Sequence, residues 1–170
     1  MGSLLLAVQN SQFAFWLSQG AYPIILTLHS VGLAVLVGLL TIIDLRVLGF
    51  GLGLPLPSLR GLMKVVWIGF WLNVGSGTLL FCISPDKLFH SNLFRIKLSL
   101  IALGLILGVR LNSSLARLGG EYAPIANPSK RQRTMAILSL ACWASAIATG
   151  RWLAYTTFAD IGITDVVPSP

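Results

Sequence analysis

Between Tyr22 and Leu48 the chain reads YPIILTLHSVGLAVLVGLLTIIDLRVL, with a single histidine and no formal charge before Asp44. A helix of ~20 apolar residues crosses a hydrocarbon core of ~30 Å, since each residue advances it by ~1.5 Å. The run is therefore long enough to span a bilayer. His29 lies about two turns from its start, inside the membrane but away from its centre. An ionisable side chain at such a depth is by default a functional one.

The remainder of the chain has the same character. Its 170 residues are 55% hydrophobic and only 10% charged, with a mean hydropathy of +0.84. That leaves too few polar groups to cover a soluble globule, and a single membrane domain over 1–170 is expected, with the lipid bilayer as its main partner. The net charge of +7 does not point to nucleic acid. The basic residues gather beside hydrophobic runs, where topology and anionic headgroups account for them. Cys82 and Cys142 read as packing residues. Residues 1–20 lack a basic leader and a small-residue cleavage site. They mix Leu4, Leu5, Phe15 and Trp16 with Gln9, Asn10, Ser11 and Gln12, as a retained helix in the interface would.

Four spans are predicted, at about 22–48, 62–84, 93–111 and 134–155, followed by a tail over 156–170. Gly and Pro in 49–57 supply the first reversal, and Ser84-Pro85-Asp86 the second. The third connection holds Gly119, Gly120, Pro124, Pro128 and the cluster Lys130-Arg131-Arg133. The expected fold is all-α, an integral membrane four-helix bundle with an N-terminal interfacial helix. Arg46, Arg60, Lys64, Arg110, Arg117, Lys130, Arg131 and Arg133 belong to the first and third connections, against Lys87, Arg95, Lys97 and Arg151 on the other side. The positive-inside rule then places both termini outside, which in a bacterial inner membrane means the periplasm.

With this threading His29, His90, Lys97 and Arg151 fall in one layer near the outer face. Gly32, Leu33 and Leu36 share the His29 face of the first helix, and Gly32 leaves room for a flat ligand or a close helix. Gly69, Asn73 and Gly77 make a small, partly polar stripe on the second helix. Gly104 and Gly108 lie on the Lys97 face of the third, where they also read as a packing seam. One reading makes His29 an axial ligand of a b-type haem, with His90 as an admissible second metal ligand and Lys97 and Arg151 beside the propionates. A second makes His29 a quinone contact. A third gives it only an interhelical hydrogen bond, leaves His90 solvated in its loop, and lets Lys97 and Arg151 snorkel to headgroups. Asp44 sits unfavourably at a helix C-terminus, and Arg110 or Lys64 is its expected partner. No cysteine pair at metal spacing, H-E-x-x-H, phosphate-binding glycine loop or nucleophile elbow occurs, so hydrolytic catalysis is not expected.

The pieces His29-Ser30-Val31-Gly32, Gly38, Asp44-Leu45-Arg46-Val47-Leu48-Gly49, Phe94-Arg95-Ile96-Lys97-Leu98 and Gly150-Arg151-Trp152-Leu153-Ala154-Tyr155 run from the first span to the last. In this combination the chain resembles a family of small, largely uncharacterised bacterial inner-membrane proteins with four spans. More distantly it is similar to four-helix membrane proteins of the copper-resistance and cytochrome b type. Those cytochromes carry several spaced helix histidines, whereas only His29 lies on a span here, so the resemblance implies at most one haem. The expected function is a membrane electron-transfer or quinone-interacting subunit. The alternative is a non-catalytic accessory subunit that docks on other membrane subunits or on its own copies through its small-residue stripes.

Overall fold

The computed structural model describes residues 2–50, 56–118 and 128–159, all in helices or their short connections. Most of the 49–57 turn, the glycines and Pro124 of the third connection, and the tail beyond Ala159 lie outside the described residues. Helix α1 covers Gly2–Gln9 and α2 covers Gln12–Trp16, which passes through a widened π turn, Leu17–Ala21, into α3, Tyr22–Leu48. Then come α4 (Leu56–Ile83), α5 (Pro85–His90), α6 (Asn92–Leu118) and α7 (Lys130–Ala159). Four helical stretches are long and apolar enough to cross a membrane, namely Gln12–Leu48, Gly61–Ile83, Asn92–Leu115 and Lys130–Thr156.

The N-terminal boundary differs from the expected one. The chain breaks at Ser11, not near Gly20, and Gln12 onward is continuous with the first span. Ser11 accounts for the break: its hydroxyl donates to the Val8 carbonyl (2.6 Å) and accepts from the Ala14 N–H (3.2 Å), ending one helix and capping the next. The π turn directly precedes Pro23. A proline inside a helix has no N–H for the carbonyl four residues back and presses its ring against it, and a local change of turn width relieves both.

The other ends follow from equally local chemistry. Gly49, at φ 104°, donates to Arg46 O (3.3 Å) while Phe50 donates to Leu45 O (2.9 Å), a Schellman closure that needs a left-handed residue. Ser129 and Gln132 form a reciprocal capping box at the start of α7, with bonds of 3.3 and 2.9 Å. The Gln132 amide also donates to Ser114 Oγ (3.1 Å), tying α7 to α6.

Helices α3 and α4 pair along their length, as do α6 and α7. The pairs meet mainly where α3 lies on α7, so α3 is central, whereas α4 packs on α3 and on the N-terminal helices. All neighbours in each pair are antiparallel: Gly32 meets Asn73 while Leu36 meets Gly69, and Gly104 meets Trp143 while Lys97 meets Gly150. The main core joins Leu36, Leu40, Ile43 and Val47 of α3 to Val66, Leu111, Ala136 and Trp143. A smaller one, at the end of the bundle where α5 lies, joins Leu17, Ala21 and Ile25 to Leu79, Leu80, Cys82 and Ile83. Large apolar side chains also cover the outside. Ile68 and Trp71 are both 65% exposed, a surface suited to lipid and not to water.

Candidate functional site

Between the two apolar clusters lies a polar layer where α3 and α4 come closest. A Cβ on Gly32 would stand 2.9 Å from the Asn73 N and 3.1 Å from the Gly69 O, and one on Gly69 would stand 2.9 Å from the Leu36 N. Of the two roles expected for Gly32, the structure therefore shows the close helix: the space above it holds α4 backbone. This contact fixes the height and rotation at which α4 faces His29.

One turn toward α5, Asn73 Nδ2 donates to the His29 carbonyl (3.0 Å), crossing from α4 to α3. His29 Nδ1 lies 3.1 Å from Ser76 Oγ. The ring rests on Gly77, where a Cβ would stand 3.2 Å from Cε1. The direction of the Ser76 bond can be worked out from the inventory of protons. A serine hydroxyl has one hydrogen, and Ser76 directs it at the Leu72 carbonyl, 2.6 Å away. Its oxygen can then only accept from His29. In the neutral ring Nδ1 carries the proton, and Nε2 presents a lone pair. The side chain is half-buried, and Nε2 has no hydrogen-bond partner among the described residues.

A further half-buried polar group lies on the other helix pair. Lys97 runs along α7 at Gly150, with Cε and Nζ each 3.1 Å from where a Cβ there would be. A Cβ at that position would crowd the end of the lysine side chain. The lysine is half-buried. The two acidic residues whose placement is described lie elsewhere. Asp86 pairs with His90 (3.6 Å), and Asp44 is buried farther along α3.

The remaining expected site residues are not gathered here. His90 is on the short helix α5, 64% exposed, with Nδ1 3.0 Å from the Asp86 carbonyl of its own turn. Arg151 is exposed and stands over the Tyr155 ring, 5.9 Å from its centroid, an interfacial arrangement. Asp44 does not form the ion pair expected with Arg110 or Lys64, both of which are exposed. Its carboxyl is fully buried against the Ser139 hydroxyl, short of an aligned hydrogen bond. The rotation of α3 that puts Leu40 and Ile43 in the core brings Asp44 inward with them. Gly104 and Gly108 do form a seam, occupied by the Trp143 indole and the Leu40 side chain.

Ser76 and Gly150 were missed from sequence. Ser76 had a signal, because it continues the Gly69-Asn73 stripe at helical spacing. Gly150 had none, since nothing in α7 shows that a lysine of α6 will cross it. Comparison with protein-family models, with curated proteins and with solved structures gave no match, so the functional reading rests on these residues.

Proposed function

We propose that the protein is an electron-transfer subunit of a bacterial inner membrane that interacts with the quinone pool, with the α5 end of the bundle toward the periplasm. The observation that carries this reading is the fixed imidazole. Nδ1–H donates to Ser76 Oγ, leaving Nε2 as a lone pair on a half-buried ring. Such a nitrogen accepts a hydrogen bond from the hydroxyl of a reduced quinone, and after protonation it donates one to the carbonyl of the oxidised form. The exposed apolar surface supports a ligand that arrives through lipid. The polar contacts are few and sit in an otherwise apolar setting, as small-ligand sites commonly do.

The same tautomer favours a second reading, one b-type haem with His29 as an axial ligand. An axial histidine uses one nitrogen for iron and donates the other N–H to a protein acceptor, the role Ser76 fills. When bound, the haem would supply one-electron transfer. In that reading Lys97 would be the partner of a propionate. His90, 64% exposed on the short helix α5, is left out of this reading.

Two measurements on protein purified from membranes separate these readings. A visible spectrum of the dithionite-reduced protein should show Soret and α bands only if haem is present. An organic extract of the same preparation should contain quinone in near-stoichiometric amount under the quinone reading. Protein with neither would leave the accessory-subunit reading in its place.

A further inference from the structure

At the end of the bundle opposite α5, where α6 finishes and α7 begins, Arg110, Lys130, Arg131 and Arg133 are all exposed. The bond from the Gln132 amide to Ser114 Oγ (3.1 Å) sets the two helices at a common height there. Arg131 and Arg133 flank that level on α7, and Arg110 lies one turn from it on α6, so the three arginines share a layer about 6 Å deep. None of the four side chains has a hydrogen bond or ion pair with a described residue. At the other end, by contrast, Arg95 donates to the Phe89 carbonyl (3.3 Å) and Arg151 stands over Tyr155. The chain can bring little opposite charge to the four. Asp44 is fully buried, and Asp86 is on α5. Asp160 and Asp165 follow α7, which carries them about 45 Å away, and the six residues after Ala159 extend about 20 Å at most. Glu121, outside the described residues, is the one acid left, and set wholly against one cation it leaves three positive charges.

Two of these arginines also close apolar stripes. Arg110 follows Ile106 and Leu103 at four and seven residues on one face of α6, and Arg133 precedes Ile137 by four on α7. Leu103, Ile106 and Ile137 are exposed, as a lipid-facing surface would be. Topology asks only for positive charge on one side of the membrane. It does not ask for exposed arginines in register with the ends of apolar stripes. A cation at the end of such a stripe matches a ligand with an anionic head and an apolar tail, whereas a soluble anion would use the cation alone. We propose that this end of the bundle binds an acidic phospholipid. Its phosphodiester lies in the layer of Arg110, Arg131 and Arg133, and an acyl chain runs along Leu103 and Ile106. Arginine suits the headgroup because its planar fork directs paired N–H groups at phosphate oxygens. The inference uses no residue of the His29 site and is independent of the quinone reading.

The test uses the full-length protein in a neutral detergent, given equal amounts of dimyristoyl phosphatidylglycerol and dimyristoyl phosphatidylcholine. Native mass spectrometry counts the molecules of each that stay bound. The two lipids have the same chains and differ in headgroup charge. Wild type should prefer phosphatidylglycerol by about tenfold or more, since each basic residue at a membrane surface contributes about fivefold. Arg110→Gln combined with Arg133→Gln should bring the ratio toward one. Lys87→Gln combined with Arg95→Gln removes the same charge from the α5 end and should leave the ratio unchanged. All four positions are exposed, so both variants should fold, and thermal unfolding checks this. A wild-type ratio near one, or an equal loss of preference in the two double variants, would overturn the inference. sn-Glycerol 3-phosphate at the same concentration should not compete. Displacement of the lipid by it would overturn the lipid assignment and make the site one for a soluble phosphate.

Discussion

Ser76 is the residue on which the chemistry of His29 depends. Its hydroxyl closes a bond to Leu72 O and receives one from Nδ1, so Ser76→Ala leaves a polar ring nitrogen without its acceptor. A loss of about 1 kcal/mol in stability is expected, the usual size for one such bond. The more specific readout is nitrogen NMR of histidine-labelled protein. Wild type should show His29 with a protonated Nδ1 and an unprotonated Nε2, and Ser76→Ala should mix the tautomers. A protonated Nε2 with a bare Nδ1 in the wild-type neutral ring would reverse the assignment. Asp44 supplies a contrasting case. Both its oxygens are buried without an aligned partner, so the neutral isostere Asp44→Asn should be at least as stable as wild type in thermal unfolding. A loss above about 2 kcal/mol would mean that the carboxylate has a partner holding its charge.

At the scale of the helix, glycines divide by what lies across from them. Gly32 faces backbone, which cannot yield without separating α3 from α4, so Gly32→Ala should cost about 1–3 kcal/mol and release His29 from its partners. Gly38, on the same helix, has nothing within 4 Å of a built Cβ, and Gly38→Ala should cost nothing. Thermal unfolding in detergent ranks them, and equal effects would show that the α3–α4 contact is not close. The sequence made much of this level legible. Hydropathy and turn residues located the four long apolar helices, and helical spacing put His29 and Gly32 on one face and Gly69, Asn73 and Gly77 on another. It did not reveal which faces meet. Helical periodicity defines a stripe on each element, but partners depend on rotation and crossing height, which are set by contacts such as Gly32 on Asn73. For that reason Ser76 and the Lys97–Gly150 track were not foreseen, and Asp44 was assigned an ion pair with Arg110 or Lys64, although its face turns into the core and both of those are exposed. The early break at Ser11 was missed because Ser11 caps in both directions.

Across the whole molecule, α3 carries the imidazole and joins one helix pair to the other, while α4 holds Ser76 against it. The orientation proposed from lysine–arginine asymmetry has a direct test: a reporter fused after Pro170 should behave as periplasmic and one inserted near Gly120 as cytoplasmic. The opposite pattern would invert the bundle and place His29 near the cytoplasmic face. The central claim is that His29 Nε2 is where a quinol binds, and the most direct measurement is equilibrium binding of duroquinol to wild type and His29→Ala in the same detergent. The span remains amply apolar without the imidazole, so the variant should insert and fold. Saturable binding to wild type near one per protein, weakened about tenfold or more in His29→Ala, is expected for the loss of a hydrogen bond to a poorly solvated site. Identical uptake by the two proteins, or uptake no greater than by empty micelles, would contradict it.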